Sequence, residues 1–190
     1  MIYLLLIGGW VLYFTLHSLL ASEMAKRMFG LGSQTYRLLY SIFSTVGLIG
    51  LLVMNGSIQA DNFFASDGFI RYVSLVLTTF GVMTIQLSFR HYNLKSFLGL
   101  REEKQDLRIE GILKYVRHPI YAGLILITVG FFLFIPNPPT LISCMSIFLY
   151  LPIGIYLEEK KLLMAFGDEY RAYKTQVPGL IPKLPLAPRT

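Results

Sequence analysis

Five apolar runs, at residues 2–21, 36–54, 69–89, 119–135 and 139–157, constrain this 190-residue chain more than any other feature. Each matches the roughly 17 to 25 apolar residues that a helix needs to cross a bilayer. Hydrocarbon offers no water to backbone N–H and C=O groups, so an apolar run of this length crosses as a helix. Charged residues are 15% of the chain, well below the roughly 25% of soluble domains. The pattern predicts an all-α integral membrane protein with five transmembrane helices, folded as one domain over residues 1–190. The first run has no basic residues ahead of it, and "HSLLASEM" is a poor cleavage site, so it reads as a mature helix.

The basic residues set an expected orientation. All but one of the 17 Lys and Arg residues fall in three places: around the first loop (Lys26, Arg27, Arg37), in the third loop (Arg90 to Arg117), and after the last run (Lys160 to Arg189). Basic residues accumulate on the cytoplasmic side. This puts the N-terminus outside and the C-terminus inside, with Arg71 as the one exception. The net charge of +6 is spread along membrane borders and forms no dense soluble patch, so membrane lipids are the expected partner and nucleic acid is not. Cys144 is the lone cysteine, which excludes an internal disulfide and a multi-cysteine metal site; no metal is expected.

"PNPP", residues 136–139, leaves room only for a tight turn, so runs four and five are expected to form an antiparallel helical hairpin. Arg117, His118 and Tyr121 then lie near Glu158 and Glu159. In "EEKQDLRIEGILKYVRHP", Ile109, Ile112, Leu113 and Val116 suit one side of a short interfacial helix. "EEKKLLMAFGDEYRAYKTQVPGLIP" reads as a cytoplasmic C-terminal amphipathic helix and an apolar tail, both placed to cover that end.

"YVRHPIYAG", residues 115–123, concentrates polar groups where run four begins. Pro119 suits the first helical position and pushes His118 out of the helical region, making it the cap. Free N–H groups and the helix dipole favour an anion there, and Arg117 adds to that preference. Tyr121 follows three residues after His118 on nearly the same face, and Gly123 admits a ligand or a neighbouring helix. An Arg–His–Tyr interfacial anchor is the alternative. Glu158 and Glu159 read either as solvated charges paired with Lys160 and Lys161, or as groups awaiting a cationic ligand, because acidic residues at a helix C-terminus oppose its dipole. Tyr115, Tyr121, Tyr170 and Tyr173 are candidate flat surfaces for a ring. Together these residues suit a zwitterionic, ring-bearing ligand.

"GILKYVRHPIYAG" followed by "LEEKKLLMAFGDEYRAYKTQVPGLIP" resembles the signature of the isoprenylcysteine carboxyl methyltransferase family. This wider group of small integral-membrane methyltransferases includes phospholipid N-methyltransferases and small-thiol S-methyltransferases. The resemblance is strongest over residues 110–182, and "LHSLLAS" and "HYNLKSFLGLR" are similar to the small-thiol branch. It implies S-adenosyl-L-methionine at the cytoplasmic membrane edge. Tyr115, Arg117, His118, Pro119, Tyr121, Gly123, Glu158 and Glu159 would then form the cofactor site. Many relatives carry an arginine just before the acidic pair, where this chain has "IYLEE" with Tyr156. That departure points away from an acidic acceptor held by the arginine.

A sulfonium is an activated methyl donor, so the protein's task is to align the acceptor and exclude water. A thiol or amine acceptor must lose a proton, and His118 and Glu158 are the candidate catalytic groups. Thr15, His17, Ser18, Gln86 and Ser88 sit at similar membrane depth, where polar side chains mark either a cavity or helix–helix hydrogen bonds. His17, with Tyr156, is the candidate for acceptor contact. The sequence thus favours methyl transfer to a small thiol or lipid-like acceptor, with prenylcysteine carboxyl methylation and a non-catalytic adaptor binding anionic lipid or a protein as alternatives. A transporter is disfavoured by the scarcity of charge in the spans and the lack of an inverted repeat.

Overall fold

The computed structural model describes residues 1–91, 107 and 109–182, and every regular element among them is helical. Six α-helices follow in order: α1 Ile2–Leu20, α2 Glu23–Phe29, α3 Ser33–Ser57, α4 Gly68–His91, α5 Pro119–Phe134 and α6 Pro138–Gln176. One 3-10 turn, Gly111–Lys114, precedes α5. Four of the helices, α1, α3, α4 and α6, are long and apolar enough to cross a membrane, as in a multi-pass membrane protein. The fifth run forms a shorter helix of 16 residues, about 24 Å at the usual rise of ~1.5 Å per residue. The expected basic residues Lys95, Arg101, Lys104, Arg108, Lys183 and Arg189, and "HYNLKSFLGLR" beyond His91, lie outside the described residues.

Two bodies of packing hold the helices. One joins α1, α3 and α6 through Leu6, Trp10, Leu51 and Ile58, with Tyr13, Phe14, Ile142 and Ile147 against them. A buried polar chain runs through it: Trp10 Nε1 donates to Ser143 Oγ (2.9 Å), Ser143 Oγ to Asn55 Oδ1 (2.8 Å), and Asn55 Nδ2 to Thr140 Oγ1 (3.3 Å). Apolar surroundings offer these groups no other partners, so the chain fixes the register of the three helices.

The other body joins α4 to α5 with almost no side chain between them. A Cβ on Gly81 would fall 2.6 Å from the Gly123 carbonyl oxygen, and one on Gly130 would fall 2.3 Å from Thr78 Oγ1. Small residues permit this backbone approach, which replaces the hydrophobic drive that lipid does not supply. The space over Gly123 is thus filled by the neighbouring helix.

Helices α5 and α6 form the expected antiparallel hairpin. Cys144 Sγ contacts the Thr128 carbonyl, Gly154 lies against Tyr121, and Glu159 meets His118, so contacts descend one helix as they ascend the other. Asn137 caps α6 by accepting from Thr140 N at 3.0 Å. Helix α6 carries Pro152 within it and runs on past Glu159 to Gly167, whose φ 52 and ψ −121 are non-helical and break it into two helices. The expected amphipathic segment therefore begins as the continuation of α6 and ends as a short helix beyond a glycine whose positive φ would strain any other residue. The expected interfacial helix near Ile112 is limited to the 3-10 turn, with Leu113 and Val116 buried.

Candidate functional site

Pro119 opens α5 and His118 caps it with φ −120 and ψ 62, as the sequence predicts. His118 makes no side-chain cap bond to its own helix, so the ring is free to turn towards α6. Its Nε2 lies 3.1 Å from Glu159 Oε1, and its side chain is only 1% exposed. Arg117 Nη2 donates to the same Glu159 oxygen at 2.8 Å, and Lys174 Nζ reaches the other, Oε2, at 2.5 Å. Three cationic side chains converge on this single carboxylate.

Glu158 differs from its neighbour. It faces His118 Nδ1 at 3.6 Å, an ion-pair distance beyond hydrogen-bond reach, and its side chain is 42% exposed. Adjacent residues on a helix point about 100° apart, so only one of the pair can enter the cation cluster. Tyr121 places its ring edge-on to His118, with centroids 5.8 Å apart, and its hydroxyl over Gly154 and beside Glu158.

The chain after α6 folds back over the cap. Arg117 N donates to Pro178 O and His118 N to Gly179 O, each at 2.9 Å. Arg117 Nη1 donates to the Lys174 and Val177 carbonyls. Below this tail, Tyr170, Tyr173 and Val177 form a small core with Leu107, Ile109 and Phe166, and Tyr173 Oη donates to Leu113 O at 2.6 Å. The tail therefore covers this end, as expected.

The electrostatics follow from the contacts. Burial alone would raise the Glu159 pKa, but Lys174, His118 and Arg117 outweigh it and bring it down to about 2. Burial alone would lower that of His118, yet the facing Glu158 and Glu159 leave it above the usual histidine value. Desolvation and the charge of Glu159 push the Tyr170 hydroxyl up. Arg117 Nε, His118 Nδ1 and Tyr170 Oη are buried with no hydrogen-bond partner among the described residues.

Of the sequence candidates, Arg117, His118, Pro119, Tyr121, Glu158 and Glu159 come together. Gly123 packs against α4, while Tyr115 and Tyr156 are 60% and 65% exposed. Tyr170 and Tyr173 are buried and are not open surfaces. His17 sits apart, in an aromatic cluster between α1, α3 and α6. Its Nε2 is 3.0 Å from Tyr40 Oη and its Nδ1 3.1 Å from Ser44 Oγ, with Tyr13 and Tyr150 beside it. Tyr150, which meets His17 edge-on, and Tyr121, which meets His118 edge-on, both lie against Gly154. Ser18 bonds Tyr150 Oη, whereas Thr15 and Ser88 donate to their own helices. Lys174, Tyr40, Ser44 and Tyr150 were not foreseen, since their placement depends on long-range packing that local spacing does not encode.

No group of three or more His, Cys, Asp or Glu residues among the described residues is placed to hold a metal. The donor set instead fits a zwitterion: buried N–H and O–H donors stand beside a part-exposed carboxylate.

The chain is 32% identical over 121 residues to methanethiol S-methyltransferase 1 of Bradyrhizobium diazoefficiens, covering 60% of this chain and 39% of that protein. It is 28% identical over 163 residues to methanethiol S-methyltransferase of Crocosphaera subtropica, covering 75% and 59%. With protein-S-isoprenylcysteine O-methyltransferase of Schizosaccharomyces pombe it shares 34% identity over 86 residues, covering 45% and 36%. The chain thus spans between about a third and three fifths of each of these relatives. No solved structure matches. A family model described as NnrU protein matches residues 5–181, which takes in the aromatic cluster, the capped helix and the acidic pair alike, and the chain belongs to that family.

Proposed function

We propose that this chain is an integral-membrane methyltransferase that moves a methyl group from S-adenosyl-L-methionine to a small thiol or lipid-like acceptor. In this reading it crosses the membrane five times, with the N-terminus outside and the site at the cytoplasmic face. One observation carries it: at the start of α5, the buried His118 ring faces the part-exposed carboxylate of Glu158 at 3.6 Å, next to a buried Arg117 Nε that has no hydrogen-bond partner among the described residues. Relatives named as methyltransferases match this chain at 28% to 34% identity.

When bound, the cofactor supplies an already activated methyl group. The chain's own residues bind and orient. Glu158 offers negative charge to a cationic ligand group, and His118 and Tyr121 line the space between α5 and α6. Glu159 holds Arg117, His118 and Lys174 in place, and Pro119 fixes the cap. The Tyr170–Val177 core closes the end against water, which strengthens each of these interactions. His17, held by Tyr40 and Ser44, would contact the acceptor, while His118 or Glu158 would take the proton from an incoming thiol. Tyr156 in place of an arginine favours a neutral acceptor over the carboxylate of a prenylcysteine.

Equilibrium binding of S-adenosylmethionine and its demethylated product to the purified protein tests the reading. Alanine at His118, Tyr121 or Glu158 should weaken binding by about 1 to 3 kcal/mol, the scale of stranding a buried polar partner. Unchanged affinity in all three folded variants would reduce the cluster to an interfacial anchor and favour the non-catalytic adaptor.

A further inference from the structure

We propose that Arg117 Nε and the Tyr170 hydroxyl form a carboxylate subsite that takes the amino-acid end of the cofactor. The inference rests on the methyltransferase reading above and adds a residue, Tyr170, that packing alone does not explain. Tyr170 is 1% exposed, in the core of the C-terminal helix segment, and its hydroxyl has no partner among the described residues. Arg117 spends Nη1 on the Lys174 and Val177 carbonyls and Nη2 on Glu159, but its buried Nε has no partner there.

A buried hydroxyl without a partner is a cost that a folded protein rarely retains without use. Phenylalanine would fill the same volume at no such cost, so the retained hydroxyl calls for a function. Both atoms are donors, and donors in a cluster call for an acceptor. Tyr170 lies one turn before Lys174, whose carbonyl binds Arg117, and its hydroxyl feels the charges of Glu159 and Arg117. Glu159 is already neutralised by its three cations, whereas a ligand carboxylate would find donors that no described residue engages. Charge-assisted bonds to a carboxylate are also the stronger kind.

The two ends of an amino-acid group then find opposite receptors. The carboxylate meets Arg117 and Tyr170, and the ammonium meets Glu158 across His118. Gly179 lies over this pair: a Cβ there would be 3.6 Å from Arg117 Nη2 and 3.9 Å from His118 Cδ2. The tail at Val177–Gly179 is therefore the element that must lift to admit the ligand.

Binding of two compounds that differ only in the carboxylate, S-adenosylmethionine and its decarboxylated analogue, tests the subsite with Tyr170→Phe. The variant should lose about tenfold or more in affinity for the first and remain within about twofold for the second. Its unliganded thermal midpoint should hold or rise, because an unsatisfied hydroxyl has gone. Equal losses for both compounds, or no loss for either, overturn the subsite alone. A lowered unliganded midpoint without a carboxylate-specific loss marks the hydroxyl as structural and also overturns it. Failure of the unmutated protein to bind either compound overturns the proposed function and the subsite together.

Discussion

Glu158 and Glu159 are adjacent and chemically identical, yet the structure gives them different work, and paired substitutions separate the two. Glu159→Gln keeps the shape and one acceptor oxygen but removes the charge that Arg117, His118 and Lys174 share, leaving His118 with Glu158 alone. Arg117 and Glu159 are 11% and 12% exposed and His118 1%, so the penalty follows the scale of a broken buried pair, about 3 to 5 kcal/mol. Lys174 is 44% exposed and its share is screened to under about 1 kcal/mol. Loss of the His118 proton relieves part of the strain, which sets the expectation near 3 kcal/mol. That corresponds to a fall in thermal midpoint of roughly 6 to 12 °C on the scale of a 150–250-residue domain. Glu158→Gln removes an exposed carboxylate whose contact with His118 is 3.6 Å, so it should cost under about 1 kcal/mol. It should nevertheless weaken cofactor binding about tenfold. Thermal unfolding in one detergent, with and without cofactor, reads both effects. Equal destabilisation by the two variants, or an unchanged midpoint in Glu159→Gln, would refute the division of roles.

Other consequences follow from the same geometry. Glu159, depressed to about 2 from 4.5, stabilises fully above pH 4.5 and loses this as pH falls towards 2. His118, raised above 6.5, stabilises fully below pH 6.5 and loses this as pH climbs past its folded value. The ion cluster should therefore contribute most between pH 4.5 and pH 6.5, and unfolding midpoints across pH should fall on both sides; a flat profile through both limbs contradicts it. His17→Ala should lower kcat/KM for the acceptor while leaving the cofactor dissociation constant nearly unchanged; parental activity would remove His17 from the acceptor side. Reporter fusions at Asn137 and Thr190 should mark opposite compartments, and the same compartment at both would overturn the five-span orientation.

The long helices were legible because lipid demands length and apolarity, and both are written locally. The runs at 2–21 and 69–89 match α1 and α4 to within one or two residues. The cap at His118 was legible because Pro119 restricts the residue before it. Helix α2 was overlooked although its signals are present: Ser22 accepts from Ala25 N at 3.2 Å, and Gly30 ends the helix at φ 62. The roles of Glu158 and Glu159 were not legible, because Lys174 reaches Glu159 only after α6 turns at Gly167. The burial of Tyr170 and Tyr173 likewise depends on the 3-10 turn and on Leu107 and Ile109 packing against them from a distant part of the chain. Gly123 offered two readings at the sequence level, and the close approach of α4 selects one of them.

Methyl transfer itself tests the central claim most directly. The protein, reconstituted in bilayers with methyl-labelled S-adenosylmethionine, would be offered small thiols, amines, prenylcysteine and extracted lipids. Label should appear on a small neutral thiol or a lipid-like acceptor, and at subsaturating cofactor Glu158→Gln should cut it about tenfold. Label on no acceptor in the panel, or transfer undiminished in that variant, would contradict it.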